Sequence, residues 1–345
     1  FFNLGPVNMP MSKGEILMVL SSQFQPNKFG NATEIVGALH QDRHSGIMGV
    51  LGDTSPTVPV SVKVRSYDAQ QKIIKEKDLK FNIFVQQKWT PFLMMLTMFN
   101  SIEGLNDFAD DVTFRLNGQI ELDGASRPIS LRTMQAPSEL PIPAPMVLAG
   151  WWGDKFNRLF GNQLQTPNLK RVTATIDLIP ERRTASIETA WLPASEVEPG
   201  AELPLRVFLR PYRGERLERE VKFNLPADLP RGDHRILISD ADTLNRIQTM
   251  AAMSNRFIDL PQTIALINQE RSNNRLYVSL IEQKPTVYAD EKVMPGLPAS
   301  VLNVMQSART GGKLMLSTPE TAVEKASLDL DQVVQGAYSL KITVR

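Results

Sequence analysis

The sequence predicts a mainly β protein with a few α-helices and more than one apolar core. Three observations lead there. Apolar and polar residues alternate with period two in segments scattered from residue 58 to residue 344, the pattern of strands with one buried face. Glycine and proline punctuate the chain between those segments. Two stretches, 90–108 and 146–160, instead repeat apolar residues at helical spacing. A chain of 345 residues is long enough for two or three cores.

Residues 1–87 read as β-rich. Turn signals fall at Gly5-Pro6, Pro26, Gly30, Gly37, Gly46, Gly49, Gly52 and Pro56. Val58, Val60, Val62 and Val64 alternate with Pro59, Ser61 and Lys63, which makes 58–65 a half-buried strand. The stretch 79–85 is its partner, and Asp68-Ala69-Gln70-Gln71 marks a turn between them. A helix follows over 90–108, with Phe92, Leu96, Phe99 and Ile102 on one face, Thr90 as N-cap and Pro91 in the first turn. Two short strands near 112–116 and 119–122 flank Asn117-Gly118, a hairpin signal.

Four prolines in the ten residues 136–145 predict an extended linker and the clearest domain boundary. The next helix carries Leu148, Trp152, Phe156 and Leu159 on one face. From 169 to 240 the alternation returns in short runs, including Val172 to Leu178, Leu203 to Leu209 and Leu217 to Leu225. Several such strands separated by turns predict an antiparallel Ig-like β-sandwich. The tail, 241–345, reads as mixed α/β. Its expected helices begin near Asp242, Leu260-Pro261 and Pro298, the last ending at Gly311-Gly312, and its expected strands cover 275–281 and 338–344. The expected units are 1–135, 136–168, 169–240 and 241–345.

Composition limits the function. Lys+Arg exceed Asp+Glu by one, 38 against 37, so no basic excess is present to neutralise phosphates, and nucleic acid is not an expected partner. Zero cysteine excludes disulfides, Cys-ligated zinc and thiol catalysis, and suits a bacterial extracytoplasmic protein. Three histidines do not suggest a metal site, and no cofactor is expected. The longest apolar run, 91–99, is far shorter than the roughly 20 residues that span a bilayer, so no transmembrane segment is expected. The chain opens on Phe1 without a basic and apolar leader, so no signal peptide is read in it.

One stretch concentrates polar chemistry. GALHQDRHSGIMGVLG, residues 37–52, holds two histidines, an acid, an arginine and a serine. His40, Asp42 and His44 share parity, so on a regular strand they would share a face. Ser45 beside His44 is not a nucleophile–base pair by adjacency, because strand neighbours point to opposite sides. The candidate polar residues are Asp42, Arg43 and His44; the competing reading is a strand-turn-strand with a polar tip. Elsewhere, His234 reads as a surface residue at a turn. The arginines 206, 210, 213, 216 and 219 mix with Glu215, Glu218 and Glu220 into a salt-bridged face. Trp151 and Trp152 either cover a core edge or seat a helix on a membrane surface.

The opening residues carry a resemblance. FFNLGPVNMPM (1–11), VGAL (36–39), QDR (41–43) and GIMGVLG (46–52) resemble the SpoIVB-type serine peptidase family, in its large secreted acidobacteria-like members. LRPYRG (209–214) and NRLYV (274–278) resemble the C-terminal region of that group. The resemblance spans most of the chain, but only about the first 65 residues correspond to the peptidase-like part. It implies part of a β-barrel, with the family's histidine immediately before Phe1 and its serine further upstream in a Gly-x-Ser-Gly-Ser-Pro motif. No catalytic serine or histidine then falls on this sequence, and the chain alone is expected to be inactive. Asp42 and Arg43 match the pattern without a defined role, whereas His40 and His44 fall at variable positions. The resemblance implies the C-terminal portion of a secreted peptidase. The alternative is a non-catalytic structural or binding component of the cell envelope, with a protein or peptide partner or a homo-oligomeric assembly.

Overall fold

The computed structural model describes residues 3–21, 27–106, 111–124, 127–138, 142–162, 165–252, 259–283, 286–289, 292–295, 314–317 and 320–345. It is mainly β, with 55% strand against 17% helix, and it includes a half-barrel sheet. The expected helix over 298–308 lies outside the described residues.

The first sheet is antiparallel and holds β1 (Gly5–Leu20), β2 (Asn27–Arg43) and β3 (Gly46–Leu51) in the order β1-β2-β3. His44 and Ser45 form the turn between β2 and β3. The polar stretch is therefore a strand-turn-strand. Gly37 is required by packing, because a Cβ there would collide with the Val50 carbonyl oxygen.

The second sheet runs β5-β4-β8-β6-β7, from β4 (Thr57–Tyr67), β5 (Ile73–Phe84), β6 (Thr113–Leu122), β7 (Ile129–Gln135) and β8 (Leu169–Ile179). Two helices, α1 (Trp89–Glu103) and α2 (Ala144–Phe160), supply the other half of its core. Met94, Met98, Ile102, Trp152, Phe156 and Leu159 are fully buried against the strand valines, isoleucines and leucines. β4 and β8 pair in parallel, a geometry that needs a long crossover rather than a hairpin.

This sheet corrects several expectations. Residues 169–179 do not open the sandwich; β8 is the central strand of the second sheet, between β4 and β6. The proline-rich 136–145 therefore leads into α2 within one core instead of dividing two. Asn117-Gly118 is no hairpin either: β6 continues through it. Gly118 is there because the Trp152 ring lies over its backbone, and a Cβ would fall 2.6 Å from Trp152 Cζ3. Thr90 does not cap α1. It sits inside the first turn, donating to the Phe84 carbonyl at 3.0 Å, while Gln86 Oε1 accepts from the Lys88 and Trp89 amides.

The remaining strands form two sheets over a separate core. One is β12-β11-β9-β19, from β9 (Thr184–Trp191), β11 (Glu202–Pro211), β12 (Leu217–Asn224) and β19 (Val333–Gln335). The other is β10-β20-β13-β14-β18, from β10 (Glu196–Val197), β13 (Gly232–Ser239), β14 (Arg275–Gln283), β18 (Glu320–Asp329) and β20 (Ala337–Val344). Leu205, Val207, Leu209, Ile236, Val278 and Ile342 from both sheets share this core. The tail is thus no separate unit, since β14, β18 and β20 complete a sheet begun by β13. A small sheet joins β15 (Thr286–Ala289), β16 (Lys292–Pro295) and β17 (Leu314–Ser317). Two helices lie between β13 and β14. α3 is Ala241–Ala252. α4, Leu260–Asn268, starts where Asp259 Oδ1 accepts from the Gln262 amide at 2.8 Å, and it buries Ile267 in the first core.

Candidate functional site

The polar tip does not assemble a catalytic group. Asp42 is buried and faces Gly5 on β1 and Ile47 on β3; its Oδ2 accepts from the Leu4 amide at 3.4 Å. Arg43 Nε donates to its neighbour Gln41 Oε1 at 2.7 Å. His44 is exposed in the turn. The shared parity of His40 and Asp42 is broken by an irregularity between Leu39 and Gln41 in the pairing of β2 with β3. His40 instead has its Nε2 at 2.7 Å from Asp53 Oδ2. The Thr54 amide, and then His40, hold the Asp53 carboxyl below its ordinary value. No hydrogen bond joins a serine to a histidine among the described residues, and no three His, Asp or Glu side chains there gather as metal ligands.

The other singled-out residues are placed as follows. His234 Nε2 lies 2.7 Å from the Pro230 carbonyl. Its neighbour Asp233 is engaged by Lys341 and Thr343, which hold that carboxyl below its ordinary value. Four of the five arginines are paired with carboxylates: Arg210 and Arg216 share Glu188, Arg206 approaches Glu218, and Arg213 approaches Asp111, while Arg219 donates to the Glu218 carbonyl at 2.9 Å. Trp152 is 1% exposed, so it cannot enter a membrane surface. Trp151 carries the Lys155 ammonium 4.5 Å over its ring. No helix among the described residues is long and apolar enough to cross a membrane.

What stands out is the surface of the first sheet. Ile16, Leu17, Met18, Val19 and Leu20 are all exposed at the end of β1, and Ile35, Met48 and Leu51 are exposed on β2 and β3. Leu17 at 68%, Ile35 at 69% and Leu51 at 76% are each more than two-thirds exposed. Sheets normally gain stability by covering one apolar face. Among the described residues neither helices nor other sheets supply the cover, and the side chains of both cores lie elsewhere. Alternation missed this feature. Its signal is the unbroken apolar run 16–20, where a half-buried strand would interleave polar residues.

A second feature joins the two cores. Asn273 clamps β7 by accepting from the Met134 amide at 2.8 Å and donating to its carbonyl at 2.6 Å. Glu270 takes Lys155 at 2.6 Å and also pairs with Arg158. Tyr277 is buried and donates to the Ser272 carbonyl at 2.8 Å. Burial raises its pKa to about 12. The unfolded chain releases a tyrosine proton near about pH 10. Between those values the unfolded state binds fewer protons, so stability present below about pH 10 is lost as pH rises. Urea unfolding at alkaline pH is expected to show this fall, and Tyr277→Phe to flatten it; an unchanged slope in Tyr277→Phe assigns the loss to other groups.

Compared with protein-family models, curated proteins and solved structures, the chain matches none of them.

Proposed function

We propose that the protein is a non-catalytic, self-assembling structural component of a bacterial cell envelope, and that a second copy covers the sheet formed by β1, β2 and β3. The observation that carries this reading is the solvated apolar surface of that sheet. Water contact of that surface is unfavourable by about 25 cal/mol per Å² of apolar area, which favours a covering partner. The outer edge of β1 favours a second copy as that partner. β1 is an edge strand, and an edge offers unpaired amides and carbonyls for β-addition. Pro6 and Pro10 remove donors from its first half, leaving 11–20 as the stretch able to pair. Antiparallel self-pairing centred on Gly14 sets Lys13 of each copy across from Glu15 of the other, an attractive cross-strand pair. In this reading the second core is an Ig-like sandwich serving as scaffold, and the absence of cysteine supports an extracytoplasmic location.

The test is sedimentation across a concentration series. The chain is expected to associate, and Leu17→Glu with Leu51→Glu to return it to a single copy while leaving circular dichroism unchanged. A chain that stays monomeric at every concentration overturns this reading.

The same open sheet also favours a second reading. A three-stranded piece of barrel wall exposes apolar residues when the strands that close it are missing. The protein is then the C-terminal portion of a secreted SpoIVB-like serine peptidase-family member, with residues upstream of Phe1 supplying serine, histidine and the covering strands. A serine-directed covalent probe applied to the full gene product labels it in this reading. Peptide hydrolysis by residues 1–345 alone would contradict it.

A further inference from the structure

An open cleft of about 430 Å³ lies between β6–β7 and the segment that leads from α4 into β14. That volume falls within the range of small-molecule sites. Its acids are already committed: Glu270 to Lys155 and Arg158, Glu324 to Arg271 at 3.0 Å, and Asp329 to Arg275. Two of its arginines are not. Arg115 and Arg132 have no carboxylate partner among the described residues, and Arg115 Nε is buried with no hydrogen-bond acceptor.

The strand register explains both their proximity and their lack of a partner. Arg115 is opposite Met134, and Asn117 is opposite Arg132. The two arginines are therefore diagonal neighbours on one face of β6 and β7, with Cα atoms about 7–8 Å apart. On its other side Arg115 is opposite Asp177. That carboxylate is taken by Arg65, whose Nε donates at 2.7 Å, and by the Tyr67 hydroxyl at 3.4 Å. Two uncompensated guanidiniums side by side repel each other. One oxyanion between them would relieve the repulsion and satisfy the orphaned Nε–H through charge-assisted hydrogen bonds. Asn117 and Ser130 line the same wall and add neutral polar groups.

We propose that this cleft binds a small oxyanion, a carboxylate or a phosphate monoester, held by Arg115 and Arg132. The site is independent of the assembly surface on the first sheet. Isothermal titration of the full chain with inorganic phosphate and, separately, with malonate tests it. Saturable binding of either supports the site, and the tighter of the two names the ligand chemistry. Arg132 is exposed, so Arg132→Gln should fold normally and bind at least about tenfold more weakly. Arg115→Lys, which keeps the charge but loses the fork, should also weaken binding. Arg206→Gln, on another surface, should bind like the unaltered chain. Leu17→Glu with Leu51→Glu should retain binding, which separates this site from the assembly reading. No saturable heat with either anion, or equal affinities in the unaltered chain and Arg132→Gln, overturns the proposal. Equal weakening by Arg206→Gln overturns it too, since binding would then follow net charge.

Discussion

Trp152→Ala is expected to lower stability by about 3–5 kcal/mol, the range for removing a buried aromatic side chain from a packed core. Trp152 is 1% exposed, and it meets Phe156 edge-on with ring centroids 5.3 Å apart. Its six-membered ring lies against the backbone of Gly118, so helix and sheet meet there with no intervening side chain. Removing the indole leaves a void that rigid β-strands collapse into poorly. The contact also predicts a coupling. Gly118→Ala alone puts a methyl into the indole and is expected to cost about 1–3 kcal/mol by overpacking. In the Trp152→Ala background the same methyl enters the void, so its cost should shrink or reverse. Urea unfolding of the two single variants and the double variant reads this directly. Strict additivity would mean that the two residues do not touch.

Glu270→Ala is expected to cost about 3 kcal/mol, at the lower end of the range for breaking a buried ion pair from one side. The Lys155 side chain is only 4% exposed and Glu270 lies 2.6 Å away. Without Glu270, Lys155 retains Asp154 at 3.8 Å and the face of Trp151 at 4.5 Å. Those contacts compensate only part of the burial of a charge. The loss should be largely recovered by adding Lys155→Met, which removes the stranded charge and keeps the stem's packing. If the double variant is as unstable as Glu270→Ala, the cost comes from displaced backbone between α4 and β14 instead of from Lys155.

The proposed sites were legible in the sequence to different degrees. The polar tip at 37–52 reads correctly as strand, turn and strand, although Gly37, Gly46 and Gly49, read as turn signals, lie inside β2 and β3 and the turn falls on His44 and Ser45. The grouping of His40 with Asp42 does not survive, since an irregularity in the ladder breaks the parity on which it rested. The open surface of the first sheet had a local signal in 16–20, but its exposure depends on what fails to pack on it. The arginine cleft had none. Arg115 and Arg132 meet through the register of β6 with β7, and the cleft's opposite wall comes from residues 270–277.

The sequence by itself determined which segments became strand or helix and, for β4, β11 and α2, which side was buried. The alternation at 58–65 and 203–209 became β4 and β11, and the stripe Leu148, Trp152, Phe156 and Leu159 became the core face of α2, whereas α1 turns Met94, Met98 and Ile102 to the core and leaves Phe92 of the expected stripe exposed. Those patterns are set by burial of one face of a single element, within a few residues along the chain. Tertiary structure alone decided the partners. β8 inserts between β4 and β6, and β20 returns beside β13 from the far end of the chain. The backbone hydrogen bonds of a strand are the same for any neighbour. Which neighbour wins depends on the summed packing of whole sheets and helices, which no local period records.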